Sequence, residues 1–294
     1  MRSLICVITF GIAIICTTAL QAHEMADSST SAILILVKNL TNRIDVKQTA
    51  NTVSIKSNGI PNHETGDFPR RGNPHTIKEQ KHILYFTKKP KKTGYITPSK
   101  FFGVAVNGVM FVPGTAECWN PEKQLAQSKT NNRLSAPNRS RPSNRNKGPC
   151  DWREEAIVSS QKRLGLDMNN AHVQPNGMYH YHGLPVGLIQ TQKKLDGLTH
   201  VGFSGDGFKI YASMKNKFKS SYQLKKGSRN GGPGGLHDGT YTQDFEFEHG
   251  AGDLDECNGI NTGEHGYIYL ITEEFPFIPR CWKGSPHPSF KSRP

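Results

Sequence analysis

The chain has 294 residues, with 37 Lys or Arg against 24 Asp or Glu, a formal net charge of +13 at pH 7. Only 35% of the residues are apolar, whereas Gly numbers 29 and Pro 18. Long stretches must therefore be turn and loop, which favours β structure and excludes a multi-span membrane protein. The length suits one large or two modest cores, and we expect one domain. The positive charge suits an anionic partner, such as an acidic polysaccharide, another anionic surface such as a membrane, or nucleic acid, and charge alone does not choose among them.

The N-terminal segment is typical of a secretory signal peptide. Arg2 precedes an apolar run from Leu4 to Leu20, and the small residue Ala22 follows where cleavage would occur. We expect residues 1–22 to be removed, which predicts a secreted, periplasmic or cell-surface protein. An uncleaved anchor is the alternative, because the run is close to the shortest length that crosses a bilayer. No later stretch is long enough, so no transmembrane span is expected after signal removal.

The remaining cysteines indicate two disulfides. Signal removal leaves Cys118, Cys150, Cys257 and Cys281, and four cysteines in an exported chain allow three connectivities. Pairing of sequence neighbours, Cys118 with Cys150 and Cys257 with Cys281, is the simplest choice. A thiolate zinc site is the alternative, although the short Cys-x-x-Cys spacing common in such sites is missing.

The first half of the chain predicts strands separated by loops. Apolar runs bounded by turn residues predict strands over 32–37, 53–55, 82–87, 101–106 and 108–112. Asn107-Gly108 predicts a hairpin between the last two. Residues 63–75 are rich in Gly, Pro and His and should form an ordered loop. Residues 123–149 are basic, with no acidic residue after Lys123, and predict a mobile surface loop that is either an anion-binding patch or a solvated insertion.

The second half predicts one helix followed by strands. Asp151 and Glu154 resemble a capping box, and apolar residues at roughly helical spacing continue to Leu164 before Gly165 ends the pattern. Strands are predicted over 178–182, 186–190, 208–212, 241–247 and 267–272. The predicted fold class is mainly β, a single antiparallel β-sandwich-like domain with one short helix, long loops and two disulfides. A linker with a strand over 23–50 precedes the domain at 51–285, and a tail over 286–294 follows it.

The best chemical lead is Tyr179-His180-Tyr181-His182, which follows the turn-forming Asn176-Gly177. Side chains alternate between the faces of a strand, so His180 and His182 share one face and the tyrosines share the other. Two imidazoles on one face can bind a single metal ion. The alternative is that the histidines lie on a wet face while the tyrosines pack inside.

A mononuclear site would need further ligands from distant parts of the chain. Imidazole suits copper, zinc, nickel or iron, so the ligand type does not choose the metal. Each distant residue alone is more often an ordinary loop residue than a ligand. The candidates are His63, His75, His172, His200 and Asp206.

Acidic residues near the C-terminal half offer a second, weaker site. Asp253, Asp255 and Glu256 lie beside Asn258-Gly259, and oxygen ligands of this kind suit calcium. The spacing is not that of an EF-hand loop, and these carboxylates could instead bind turn amides or Arg280. No nucleotide is expected, since the Gly-rich stretch over 231–235 lacks the lysine of a phosphate-binding loop and a following helix.

Taken together, these motifs resemble the YHYH-domain family of exported proteins over about residues 50–285. The resemblance rests on the tetrad and on segments 58–63, 73–76, 202–211, 238–241, 252–259 and 279–284. It implies a suspected metal role for the histidines but no reaction. Because its loop resembles a family motif, His63 is the first choice for a third ligand, followed by His75 and Asp206. Lys209 departs from the pattern, which commonly has Pro there.

The sequence therefore predicts an exported β domain that binds a transition metal, copper or zinc, on the YHYH strand. One alternative is an exported metal-dependent enzyme, a copper oxidase or a hydrolase, that uses the same histidines. Another is a basic cell-surface module that binds acidic polymers and whose YHYH strand is purely structural. The late His-Cys-His run of multicopper oxidases is missing, which argues against a laccase-type trinuclear centre.

Overall fold

The computed structural model describes residues 40–121 and 150–291, apart from residues 159, 160, 163, 196 and 216. The predicted signal peptide, the predicted strand over 32–37 and the predicted basic loop over 123–149 lie outside the described residues. In the part of the chain that is described, no helix is both long and apolar enough to cross a bilayer.

Short strands make up most of the regular structure. In chain order they are β1 (Ile44–Gln48), β2 (Thr52–Ser57), β3 (His82–Thr87), β4 (Lys92–Pro98), β5 (Gly103–Ala105), β6 (Met110–Phe111), β7 (Ile157–Val158), β8 (Gln161–Lys162), β9 (Ala171–Val173), β10 (Tyr179–Tyr181), β11 (Lys194–Leu195), β12 (Leu198–Ser204), β13 (Lys209–Ser213), β14 (Tyr222–Leu224), β15 (Phe245–Phe247), β16 (Gly259–Asn261), β17 (Tyr267–Ile271) and β18 (Cys281–Gly284). A helix, α1 (Val186–Thr191), follows β10, and 3-10 turns occupy Thr242–Asp244 and Pro288–Phe290.

The largest sheet has nine strands. Its order is β16-β17-β13-β12-β5-β6-β10-β9, and β11 pairs with β12. Smaller sheets join β1-β2-β3, β14-β15, β4-β18 and β7-β8. Most pairs are antiparallel as expected, but β6 with β10 and β13 with β17 are parallel. The YHYH strand β10 therefore lies between β6 and β9, inside the sheet rather than at its edge.

Aromatic rings hold the sheets together. The ring of Phe86 on β3 stacks on Phe203 of β12 with centroids 4.9 Å apart, which joins the three-stranded sheet to the large one. Trp282 is 1% exposed, and its indole N–H donates to the Phe102 carbonyl over 2.9 Å. Burial of such side chains is the main source of stability in a fold with strands this short.

Most of the predicted strands are confirmed. The strand over 82–87 matches β3, and the strands over 178–182, 208–212 and 267–272 contain most of β10, β13 and β17. The predicted hairpin is present, because β5 pairs with β6 on either side of Asn107-Gly108. Both predicted disulfides are also confirmed, Cys118 with Cys150 and Cys257 with Cys281.

The position of the predicted helix was wrong. Residues 151–158 form bends, isolated bridges and β7 rather than a helix. The Trp152 ring packs edge-on against Tyr241 at 5.8 Å, and the buried Glu155 accepts a hydrogen bond from Arg280 over 2.7 Å. These distant contacts override a weak local helix preference.

The helix lies where a strand was predicted, over 186–190. In α1, Leu188 and Ile189 are buried, and the Gly187 amide donates to Asn169 Oδ1 over 2.7 Å. A Cβ on Gly187 would lie 2.8 Å from the side chains of both Asn169 and His63. The glycine thus allows a close approach of α1 to the loop that carries His63.

Candidate metal centre

A tight hairpin brings a third histidine to the YHYH strand. The Gln174 amide donates to the Met178 carbonyl over 2.9 Å, and Pro175-Asn176-Gly177 closes the turn, with Gly177 at φ +90°. In the resulting antiparallel register His172 on β9 lies directly opposite His180 on β10. Directly opposed residues share a face of the sheet, and so do residues two apart along a strand. His172, His180 and His182 therefore all point to the same side.

The three imidazoles converge at their Nε2 atoms. His180 Nε2 lies 2.9 Å from His182 Nε2, and His182 Nε2 lies 3.1 Å from His172 Nε2. Ring centroids are 4.7 or 4.8 Å apart for every pair. Within the described residues, these three form the group of His, Cys, Asp or Glu side chains that could hold a metal ion, with all ligand atoms within 4.8 Å of one another.

Main-chain carbonyls hold the opposite edges of two rings. His172 Nδ1 lies 2.9 Å from the Leu164 carbonyl, and His180 Nδ1 lies 3.2 Å from the Met178 carbonyl. A carbonyl can only accept, so both Nδ1 atoms carry protons and the Nε2 atoms carry lone pairs. The His182 ring hydrogen-bonds the Val112 main chain. This is the arrangement by which metal-binding histidines are oriented in known sites.

Burial keeps two of these rings neutral. Loss of solvent lowers the pKa of His172 and lowers that of His182 strongly, and His180, His172 and Arg280 add to the effect on His182. His180 and His182 are only 1% and 5% exposed. Neutral imidazoles at His172 and His182 present lone pairs, so together with His180 they could hold a metal ion.

The donor set fits a transition metal ion. Zinc–nitrogen bonds of about 2.0–2.1 Å place tetrahedral ligand atoms roughly 3.3 Å apart. The separations of 2.9 and 3.1 Å lie within a few tenths of that value. Three protein ligands also leave a fourth position open for water or another molecule.

Comparison with known proteins identifies the family. The model of the family described as "YHYH protein" matches residues 84–284. The chain belongs to the YHYH family. No curated protein and no solved structure gives a significant match to the chain. The match covers the three histidines, Asp206 and both disulfides, whereas His63 and His75 precede it.

The tyrosines of the YHYH tetrad lie on the other face of β10 and are fully buried. The Tyr179 hydroxyl donates to Asp167 Oδ2 over 2.7 Å. The Tyr181 hydroxyl lies 2.6 Å from His63 Nε2 and accepts from the Asn107 amide over 3.0 Å. Burial raises the pKa of both phenols. The tyrosines therefore anchor the strand that presents the histidines.

The other predicted metal ligands are not members of the histidine group. His63 lies on the tyrosine face, bound to Tyr181. Asp206 accepts from the Tyr269 hydroxyl over 2.7 Å, from the Gly284 amide over 2.8 Å and from the Ser204 hydroxyl. His200 packs its ring against Phe203 and Tyr211. His75 is half-buried and near enough to His172 to contribute to lowering its pKa.

The acidic residues proposed for calcium make separate hydrogen bonds instead of converging. Asp255 accepts from the Cys257 and Gly259 amides over 3.0 Å, Asp253 accepts from the Lys219 amide over 2.7 Å, and Glu256 pairs with Lys283 at 2.6 Å. None of the three belongs to a group of possible metal ligands among the described residues. The geometry matches the alternative in which these carboxylates bind turn amides.

His172 was one of several candidates in the sequence, and the signal that would have selected it is the hairpin. Strand β9 has only three residues and was not predicted. Had Pro175-Asn176-Gly177 been interpreted as a hairpin turn, the register would have placed His172 opposite His180.

Proposed function

We propose that this member of the YHYH family is an exported protein that binds one transition metal ion, copper or zinc, through His172, His180 and His182. The observation that carries the proposal is the convergence of three Nε2 atoms at 2.9 and 3.1 Å in a buried site. Three lone pairs facing one another repel unless a cation lies among them. A purely structural histidine face would instead turn its ring nitrogens toward separate partners.

The ligand chemistry favours copper or zinc over calcium or magnesium. The group contains imidazoles only, whereas calcium and magnesium require oxygen ligands. The four cysteines among the described residues are paired in disulfides and offer no thiolate. His172 is the half-buried member of the group, so it marks the side from which solvent and an ion can approach.

Export is proposed from two features together. The N-terminal sequence has the layout of a signal peptide, and disulfides are typical of oxidising compartments. A metal-dependent enzyme is compatible with the same site, because a fourth, open coordination position is what a bound ion would use to activate water or a substrate.

Metal analysis of the purified protein tests the proposal. Protein made without an affinity histidine tag should retain about one copper or zinc ion per chain, measured by mass spectrometry after dialysis. His172→Ala should weaken the affinity for the ion by about 100-fold or more, because one of three ligands is lost. The affinity is measured by competition with a chromogenic chelator.

His249→Ala is the matched control, because His249 is exposed and lies outside the histidine group. It should leave the affinity unchanged. Unaltered binding in a His172→Ala/His182→Ala variant with a native circular dichroism spectrum would overturn the proposal.

A further inference from the structure

An open cleft of about 440 Å³ lies between β3 and the ends of β12, β13 and β17. The histidines of the metal centre do not line it. A volume of this size is within the range of pockets that bind small organic ligands, about 300–1,000 Å³. The cleft therefore offers room for a ligand unrelated to the metal ion.

Aromatic rings form much of the cleft wall. Phe86 and Phe203 stack with an interplanar angle of 20°, and Phe208 meets Tyr267 edge to face at 5.0 Å. Phe203 and Tyr267 are only half-buried, so part of each ring faces the cleft. Exposed ring faces of this kind pack well against flat, partly apolar ligands.

Lysines supply the charge at the cleft. Lys88 and Lys209 line it and are exposed, and Lys92 Nζ lies 5.0 Å from the centroid of the Tyr267 ring. Among the described residues none of these three lysines forms an ion pair. Lys88 Nζ has one long contact, 3.4 Å to the Thr49 carbonyl.

Negative charge is scarce at the same place. The described residues that line the cleft include no Asp or Glu. Glu264 is next to the lining residue His265, but its side chain is 83% exposed. Asp255 Oδ2 accepts a hydrogen bond from the Tyr267 hydroxyl over 2.9 Å. The cleft thus combines ring surface with uncompensated positive charge.

We propose that this cleft binds one or two residues of an acidic oligosaccharide. The apolar face of a sugar ring matches Phe203 and Tyr267, and the lysine ammonium groups match its carboxylate or sulfate groups. The open side lets a longer polymer continue beyond the cleft. Single-stranded nucleic acid fits less well. Proteins that bind it have a basic groove that follows the backbone over several nucleotides, whereas this cleft has room for only a small ligand.

Titration calorimetry with a defined oligosaccharide tests this. The probe is a hexamer of galacturonic acid, with maltohexaose as the neutral hexamer of the same ring size. The acidic hexamer should bind, whereas maltohexaose should bind at least about tenfold more weakly. The double variant Lys88→Glu/Lys209→Glu should lose at least about tenfold in affinity for the acidic hexamer, because both charged contacts are reversed.

The matched control changes the net charge equally at other positions. Lys81 and Lys226 are exposed and do not line the cleft, so Lys81→Glu/Lys226→Glu should retain affinity within about twofold. An equal loss in both double variants would overturn the proposal, since the net charge alone would explain binding. Tighter binding of a six-nucleotide single-stranded DNA, lost in the cleft variant, would also overturn it in favour of nucleic acid. Metal content, measured on the same samples, should not change.

Discussion

The two faces of strand β10 are equally buried but differ in how their polar atoms are satisfied. On the tyrosine face, each phenol hydroxyl meets a fixed partner, Asp167 for Tyr179 and His63 for Tyr181. On the histidine face, three Nε2 atoms meet one another. Because a buried polar group needs a partner, the phenols of the first face are satisfied within the protein, whereas the imidazoles of the second could hold a metal ion. Alternation along one short strand thus separates an anchor from a candidate metal site.

The largest expected effect comes from removing the anchor. Tyr181→Ala should lower the free energy of unfolding by about 4 kcal/mol, because a fully buried aromatic ring is lost and a cavity remains. Urea unfolding in the presence of a chelator measures this without the contribution of bound metal. His180→Ala under the same conditions should have a much smaller effect, and a loss as large as that of Tyr181→Ala would show that the histidine face also stabilises the fold.

The buried His82 differs from both faces of β10. Its ring has neither a hydrogen-bond partner, as the tyrosines have, nor neighbouring imidazoles, as the three histidines have. It is 2% exposed and neither ring nitrogen has a hydrogen-bond partner. Burial lowers its pKa from 6.5 to about 4. In the unfolded chain the His82 imidazole takes up a proton near pH 6.5, whereas in the folded chain it does so only near pH 4. The free energy of unfolding is therefore unaffected by His82 above pH 6.5. As the pH drops from 6.5 towards 4, protonation of His82 in the unfolded chain lowers it by up to about 3 kcal/mol.

Urea unfolding at pH 7.5 and pH 5.0 measures this loss. The free energy of unfolding should differ between the two pH values, and we expect His82→Leu to reduce this difference by about 2 kcal/mol, because leucine does not titrate. His249→Ala, at an exposed position, should keep the difference of the unsubstituted protein. An unchanged difference in His82→Leu would show that His82 does not lose its proton affinity on folding.

A smaller change tests one hydrogen bond of the tyrosine face. Tyr179→Phe removes the hydroxyl that donates to Asp167 Oδ2, whereas the Gly66 and Asn169 amides still donate to the same carboxylate. The expected loss is about 1–2 kcal/mol of unfolding free energy. Chelator competition should show the same metal affinity as the unsubstituted protein, and a weakened affinity would mean that the two faces are coupled.

The smallest effect is expected for His63→Gln. Its ring lies on the tyrosine side, where Nε2 accepts from the Tyr181 hydroxyl and Nδ1 lies 2.8 Å from the Glu64 carbonyl. We expect a loss of about 1 kcal/mol in stability and an unchanged metal content by mass spectrometry. A loss of metal would show that His63 reaches the ion, as the family motif suggested.

Local patterns in the sequence predicted what local interactions determine. Alternation in Tyr179-His180-Tyr181-His182 placed the four side chains on the correct faces, and Asn107-Gly108 identified a hairpin. Nearest-neighbour pairing predicted both disulfides. The faces of the strand and the hairpin follow from local geometry, whereas the disulfides join cysteines 32 and 24 residues apart and were predicted from their order in the chain.

Distant contacts account for what the sequence did not predict. Trp152 and Glu155 are part of a helical pattern, but Tyr241 and Arg280 bind them in an extended segment. Val186 to Gln190 has the apolar residues of a strand, but contact of Gly187 with Asn169 and His63 accommodates a helix. His172 was one of several candidates, because its place opposite His180 depends on pairing of the three-residue strand β9, which the sequence pattern did not predict.

The hairpin between β9 and β10 also bears on when the metal site can form. All three Nε2 atoms belong to residues 172–182. Bringing them together closes a short loop, which costs far less chain entropy than assembling the nine-stranded sheet. In a chain that emerges N-terminus first, the complete ligand set precedes β11 to β18 and the Cys257–Cys281 bridge. A metal ion held by these residues would therefore be bound before β11 to β18 are made, so the supply of metal would influence folding of the second half of the domain.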